Sequence, residues 1–382
     1  MEARKRITIL GTGFAALAAV KRLRELDAGR GVDVTVVAPR PRFVHLPSMI
    51  WIPSNLRSEA DVTVELDGYF ERMGVDFIPG EVNQIIDGGR TVVTKKGEKI
   101  ANDGLIIASG STYMAKAPGI EYTLNPCTGT AASSRVRDRI AEMPGGTIAL
   151  GFAGNPNEPT AVRGGPMFEF LFGIHTQLKR EKRRDDFKLI FFNPMSEPGK
   201  RLGPKAVKGL LAAMEKRGIE THLGYKIKQF GPDFVETLGG RIESDLTLFI
   251  PGMRGLPWYE KSGLKLSPGG FIEGDRFCRA AGAEQVYVAG DAGSLPGPEW
   301  KAKQGYGAGM QAAAAAQNLF QELHGGSPSA SYKNELLCVV DTLDTGMWVQ
   351  RTPKSNFILP PLRAMHYVKR AMEWKNLYPL RK

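Results

Sequence analysis

Cysteine is scarce in this 382-residue sequence. Its three residues, Cys127, Cys278 and Cys338, are too few and too scattered for a disulfide framework or a four-ligand zinc site. No two of them form a Cys-x-x-Cys or similarly close pair, so a dithiol motif carried on one turn is absent. No run approaches the roughly 18 apolar residues that cross a bilayer as a helix. The opening MEARKR leads into no apolar stretch with a small-residue cleavage site. These absences predict a chain on the cytoplasmic side of the cell membrane, peripheral to it if associated at all. Acidic residues are outnumbered, 40 against 51 Lys and Arg, and the net charge of +11 suits an anionic partner. No RNA- or DNA-binding module accompanies that charge, so nucleic acid is not the expected partner. The KREKRR run at 179–184 reads as a solvated helix end. With 42% hydrophobic residues, the chain has ample apolar material for a core and a length suited to about two domains.

What is present alternates in the manner of an α/β protein. Residues 6–10 form a short apolar, β-branched run, followed by Gly11-Thr12-Gly13 and then by helical periodicity over 14–26. Ala16, Ala19, Val20 and Leu23 fall on one face, and Lys21, Arg22, Arg24 and Glu25 fall outside it. A second buried strand follows at 32–37. Further strands are predicted at 104–108, 147–150, 188–192, 245–251 and 285–289, with helices over 166–182, 204–217 and 301–323. This rhythm predicts parallel sheets. The HGGSPSAS stretch at 324–331 marks a boundary, beyond which the rhythm stops.

Two motifs carry chemistry. GTGFAA, Gly11 to Ala16, is the GxGxx(G/A) pattern between a strand and a helix. Gly11 permits the tight turn, Gly13 lets backbone approach a pyrophosphate, and Ala16 lets the helix lie close on the sheet. The second strand ends Val37-Ala38-Pro39, without the carboxylate that would bind a ribose hydroxyl, which argues against NAD at this site. VYVAGDA, residues 286–292, is a strand ending in Gly290-Asp291, which sets a carboxylate beside the ribityl or phosphate end of FAD. A helix predicted from Lys301 would bring amide dipoles and Lys303 toward the flavin, favouring the negative charge of its reduced form. The strand ending Ala108-Ser109-Gly110 adds Gly110 to this FAD site. A second dinucleotide fingerprint is missing. After the strand at 147–150, Gly151 and Gly154 lack the GxGxxG spacing and prolines interrupt the approach to the next helix, so the phosphate cradle for NAD(P)H is lost.

GTGFAA, RPRFVHLPSMIW at 40–51, GLIIASG, Cys127, VAGDA and CVVDTLDTG at 338–346 occur in an order that resembles the sulfide:quinone oxidoreductases over nearly the whole chain. The FAD fingerprints are shared with type-II NADH dehydrogenases and with the flavoprotein of flavocytochrome c sulfide dehydrogenase. The Cys-x-x-Asp-x-x-Asp-Thr-Gly stretch favours the sulfide branch. The resemblance implies FAD-dependent oxidation of sulfide or a related sulfur species, with electrons passing to membrane quinone. It matches Cys127 to the first family cysteine, a thiol or flavin tether, and Cys338 to the last, a redox-active thiol. The middle cysteine is expected just before Pro166, where this chain has Arg163. Two thiols are needed for a bridging disulfide or trisulfide, so Cys127 substitutes for the missing partner, Cys338 works alone, or the substrate differs. A type-II NADH dehydrogenase, or a flavin-binding subunit without sulfide chemistry, are the other readings. Glu169 is either a buried acid/base near the flavin or a solvated helix residue. Cys278, in a polar turn, is read as structural.

The expected architecture is two tandem Rossmann-like domains plus a C-terminal amphipathic, membrane-associating segment. The boundaries fall at 1–115 (FAD, first part), 116–250 (degenerate NAD domain), 251–330 (FAD, second part) and 331–382 (quinone- and membrane-facing). In the tail from Leu359, Met365, Val368 and Met372 lie at helical spacing, and six Lys or Arg face one Glu between Arg363 and Lys382. A basic helix with Trp374 and Tyr378 suits an anionic membrane surface. Self-association into a homo-oligomer is left open.

Overall fold

Five parallel strands form the first sheet, in the spatial order Val286–Val288, Gly104–Ile107, Lys5–Leu10, Val32–Ala38 and Asp76–Pro79. The computed structural model describes residues 4–28 and 31–382, so Met1–Ala3 of the MEARKR opening lie outside the described residues. The strand Gly104–Ile107 is buried along its whole length, which is why it reads as an unbroken apolar run rather than as an alternation. The helices Phe14–Leu26 and Gly305–Leu323 pack on this sheet and against each other. Small residues let them approach: a Cβ on Gly305 would sit 3.0 Å from the Phe14 ring, and one on Gly309 would sit 3.9 Å from Ala18.

A second parallel sheet has the order Ile219–Leu223, Phe187–Asn193, Gly146–Phe152 and Leu246–Ile250. The helix Gly165–Arg180 covers it through an aromatic cluster in which Phe168 lies 5.6 Å from Phe152 and 5.3 Å from Phe191. Both sheets thus follow the α/β reading, and no helix among the described residues is long and apolar enough to cross a membrane. After the Gly/Ser/Pro stretch comes an antiparallel meander, Leu336–Asp341, Gly346–Arg351 and Asn356–Leu362, and then the helix Arg363–Arg381.

Three local expectations need correction. The long helix begins at Gly305, not Lys301: Gln304 is its extended N-cap, and Lys301 and Lys303 are extended backbone. Two cations in a first turn would oppose the helix dipole. They serve instead as ties, Lys303 Nζ donating to the carbonyls of Gly293 (2.7 Å) and Asp291 (3.2 Å). Residues 359–362 are strand rather than helix. In the KREKRR run, Arg183 and Arg184 are not merely solvated. Arg183 donates to the carbonyls of Ile140 (3.3 Å) and Met143, and Arg184 to that of Phe187 (2.6 Å), stapling the helix end to its neighbours.

Candidate active site

The cradle for a dinucleotide is built from bare backbone. Gly11 has φ +109°, and a Cβ there would lie 2.6 Å from the Ala108 carbonyl oxygen. Nothing lies within 4 Å of a Cβ built on Gly13 or Gly110, so space opens above both. Ala16 is buried under the helix it starts. The helices Phe14–Leu26 and Gly305–Leu323 both begin without a side-chain cap, leaving their first N–H groups for an anionic group. Gly290, at φ +68°, passes within about a van der Waals radius of both: its Cβ would stand 3.1 Å from Ala15 and 3.2 Å from Ala308. Its N–H donates to Gln311 Oε1 at 2.9 Å. A shallow cleft is lined by Asp291, Lys301, Lys303 and Gln304. Uncapped amides at one end and a charged cleft at the other fit FAD: the Gly11–Ala16 turn would hold its pyrophosphate, and Gly290, Asp291 and Lys303 its ribityl and ring end.

Asp291 is not free. Arg163, reaching across from the second domain, pairs with its Oδ2 and also donates to the Tyr113 hydroxyl at 3.2 Å. Tyr113 in turn neighbours the Cys127 thiol. Burial pushes that thiol up to about 12, against the pull of Arg163. Cys127 lies in a loop and its N–H donates to Asn125 Oδ1 at 3.0 Å. Cys338 sits mid-strand opposite Val349, half-buried, its thiol likewise pushed up to about 12 by burial and by Glu169. Both thiols are free and both feel the Glu169 charge. Cys278 is fully buried in the core of the first sheet, away from this group.

Glu169 is the buried alternative of the two the sequence allowed: it keeps 5% of its exposure on the helix Gly165–Arg180. Its Oε1 pairs with Lys369 and accepts the Asp341 N–H at 2.8 Å. Burial nevertheless pushes it up to about 7, which Lys369 limits. Asp341 extends the network. Its Oδ1 accepts from Trp51 Nε1 at 3.0 Å and its Oδ2 lies 2.7 Å from His366 Nδ1. Burial alone would favour protonating Asp341, but His366, Lys369 and Trp51 hold it below the usual carboxylate range. Lys369 and Arg57 stand 5.9 and 5.3 Å from the Trp51 ring centre, and Arg57 grips Glu373 with contacts down to 2.6 Å. The C-terminal helix therefore buries a charged stripe, His366, Lys369 and Glu373, and its Met365, Val368 and Met372 are only half-buried.

The stretch where a second dinucleotide fingerprint would lie is filled by its own chain. A Cβ on Gly252 would be 2.5 Å from the Gly154 carbonyl, and Asn155 Nδ2 donates to the Met253 carbonyl at 2.8 Å. Glu158, buried, accepts from Thr160 (2.7 Å) and from Ser294 of the first domain (3.1 Å). The loop is thus sewn to both domains.

The family profile of pyridine nucleotide-disulphide oxidoreductases matches residues 5–318. The chain belongs to that family. Members bind FAD, and this chain is an FAD-dependent oxidoreductase with the cradle just described. It is 23% identical over 403 residues to a sulfide-quinone reductase of Aquifex aeolicus, covering 99% of this chain and 91% of that one. It is 28% identical over 306 residues to an NADH dehydrogenase-like protein of Mycobacterium tuberculosis, covering 75% and 72%. In structure it is similar to the sulfide:quinone oxidoreductase of Aquifex aeolicus, with TM-score 0.89, 20% identity and coverage of 99% and 91%. It is also similar to NDH2 of Plasmodium falciparum in complex with NADH, with TM-score 0.74, 12% identity and coverage of 99% and 96%. Relative to this family fold, sequence reading missed Tyr113, Trp51, Asp341, His366 and Lys369. Trp51 and Asp341 lie inside motifs already singled out, whereas Lys369 was counted with the surface charges and Tyr113 carried no signal.

Proposed function

We propose that this oxidoreductase removes two electrons from sulfide or a related reduced sulfur species and delivers them to a membrane quinone. One observation carries the reading: Cys127 and Cys338, from distant parts of the chain, both feel the charge of the buried Glu169, and Cys127 neighbours the Tyr113–Arg163–Asp291 chain that borders the FAD cleft. Hydrosulfide leaves as zero-valent sulfur with release of one proton and two electrons, and quinone takes two electrons and two protons. FAD supplies the two-electron carrier between these half-reactions. Cys338 and Cys127 are the thiols proposed to hold sulfur, and Glu169, pushed up to about 7, the group that takes and gives protons near neutral pH. The similarity to a sulfide-quinone reductase over 99% of the chain supports the same assignment.

Anaerobic titration of the yellow protein tests it. Sulfide is expected to bleach the flavin absorbance stoichiometrically, and NADH to leave it unchanged. Bleaching by NADH alone makes the chain a type-II NADH dehydrogenase; bleaching by neither makes it a flavin-binding subunit without sulfide chemistry.

A quinone acceptor places the protein at a membrane surface, and the C-terminal helix is the segment proposed to dock there. With His366, Lys369 and Glu373 turned inward, its outer face shows Tyr367 (63% exposed), Trp374 (60%) and Tyr378, beside the exposed Phe357 and Leu362. Trp374 and Tyr378 stack at 4.9 Å, and Arg370, Lys375 and Arg381 supply cations for anionic headgroups. Truncation from Leu359 is an unsuitable test, because it would strip Lys369 from Glu169 and unfold the site. Trp374→Ser combined with Tyr378→Ser touches no buried partner. It is expected to weaken binding to phosphatidylglycerol vesicles in a flotation assay by roughly tenfold or more, the loss of at least ~1.4 kcal/mol of burial. Unchanged flotation would assign the aromatic face to another role.

A further inference from the structure

Arg163 stands where the resemblance leads one to expect a second redox thiol, and the structure fixes its aim. Its loop is anchored on both sides. The Ala161 carbonyl accepts the Met253 N–H at 3.1 Å, and Gly164 presses on the Phe152 ring, from which a Cβ there would stand only 2.5 Å. Between these anchors the guanidinium fork serves two partners. Nη1 donates to the Tyr113 hydroxyl at 3.2 Å, and Nη2 pairs with Asp291 Oδ2. Tyr113 is itself held in the strand Thr112–Tyr113, opposite Met253. A planar fork that meets two anchored groups keeps its charge in one position, and arginine carries that charge at every working pH.

Asp291 links this charge to the cofactor. Gly290 is wedged between the starts of the two cradle helices, against Ala15 and Ala308, so the residue after it stands at the ribityl and ring end. Arg163 takes only one of the two carboxylate oxygens. Among the described residues nothing donates to Asp291 Oδ1, which leaves it for a cofactor hydroxyl. Lys303 stands on the backbone of the same turn, its Nζ donating to the carbonyls of Asp291 and Gly293. Among the described residues it has no carboxylate oxygen within 4.0 Å. In direct contact with Asp291, then, a guanidinium and an ammonium face a single carboxylate. The Arg163 and Asp291 side chains keep 17 and 18% of their exposure, so solvent ions screen them little.

We propose that Arg163 is a positioning residue that acts on the flavin through Asp291, offsetting the carboxylate's charge and so raising the reduction potential of bound FAD. Near neutral pH a flavin takes up two electrons and one proton and gains one negative charge. A fixed cation near the ring favours that form, and an uncompensated carboxylate opposes it. At an effective dielectric of ~20 and a separation on the order of 10 Å, one unit charge shifts such an equilibrium roughly tenfold. For a two-electron couple that is about 30 mV. The cradle thereby keeps a carboxylate for binding without its electrostatic penalty on reduction. The inference stands apart from the sulfide reading, since electrons from any donor enter the same flavin.

The test is the midpoint potential of bound FAD at pH 7, read by equilibration with reference dyes on parent and variants saturated with FAD. Arg163→Gln, polar but uncharged, should lower the ratio of reduced to oxidised flavin at fixed potential about tenfold or more, a midpoint lower by about 30 mV. Arg163→Lys, which keeps the charge without the fork, should recover at least half of that shift. Asp291→Asn removes the opposing charge and should move the midpoint upward by a similar amount. Lys188→Gln, which removes an exposed cation paired with Glu220 at 3.0 Å, should leave it unchanged. A tie between domains with no electrostatic role would cost stability in the Arg163 and Asp291 variants without opposite shifts in potential. Arg163→Gln at the parent midpoint, or Arg163→Lys shifted as far as Arg163→Gln, overturns the proposal. If only one of Arg163→Gln and Asp291→Asn retains flavin, the sign of its shift decides. If neither does, the pair holds the cofactor and the tuning role is overturned.

Discussion

Replacement of Cys338 by alanine is expected to lower the rate of flavin reduction by sulfide by on the order of 10³-fold or more, with FAD content and thermal midpoint close to those of the parent. The strand Leu336–Asp341 holds the residue by its ladder to Gly346–Arg351, and that ladder needs only backbone, so the substitution leaves the scaffold intact. The lost sulfur atom is half-buried, which limits the destabilisation to about 1 kcal/mol. The rate effect is large for a separate reason. With its thiol pushed up to about 12, Cys338 enters the reaction protonated, and it must lose that proton when its sulfur bonds to the sulfur of sulfide, a two-electron oxidation whose electrons bound FAD would accept. Glu169, whose charge the thiol feels and which titrates near neutral pH, is the acceptor at hand. Alanine removes the nucleophile, and no other half-exposed thiol exists among the described residues to replace it. Cys278→Ala serves as control, since that side chain is sealed in the core of the first sheet. Stopped-flow reduction by sulfide reads all three proteins. A Cys338→Ala protein that reduces its flavin as fast as the parent removes this residue from the sulfur path.

The second large effect concerns stability. Lys369→Met takes away the cation that faces Glu169 and leaves a carboxylate enclosed by apolar side chains and one backbone N–H. Breaking a buried pair by removing one partner costs about 3–5 kcal/mol, because the remaining charge must be desolvated or neutralised. The pH dependence follows from the sign of the shift. The Glu169 carboxyl already titrates in the fold at about 7 against an ordinary 4.5, so the folded state binds its proton more tightly than the unfolded state does. Its contribution is most favourable below the ordinary value and is lost as pH rises toward and through the folded one. Without Lys369 the folded value climbs further, and the loss extends to higher pH. Urea denaturation should therefore show the variant least destabilised near pH 5 and most destabilised at pH 8. The paired variant Glu169→Gln with Lys369→Met should recover most of the loss, since it leaves no isolated charge. If the single variant is as stable as the parent at pH 8, the Glu169–Lys369 contact does not govern this interface.

The fold and the cofactor cradle were legible because they are written in local terms. A turn at φ +109° with a carbonyl 2.6 Å from the absent Cβ demands glycine, so Gly11 announces itself in sequence. Strands covered on both faces demand continuous apolar residues, and helices laid close together demand the small residues of GTGFAA and GYGAG. The long-range polar network was not legible. Arg163 meets Asp291 across 128 residues, Asp341 meets Glu169 across 172, and Lys369 meets Glu169 across 200. No periodicity encodes such partners, and each residue type, taken alone, is at home on a solvated surface.

The C-terminal helix draws the line most clearly. Its sequence determines that it is helical, basic and rich in aromatic residues. Met365, Val368 and Met372, read by spacing, suggested the face that would seek apolar surroundings. Tertiary structure decided otherwise: the meander and the helix Gly165–Arg180 present Asp341 and Glu169, so the face that packs inward is the one whose charges can be paired, His366 and Lys369, with Glu373 taken by Arg57. Burying a charged stripe is tolerable only where each group meets an opposite charge, and that complementarity exists only once both domains have folded and brought the carboxylates together.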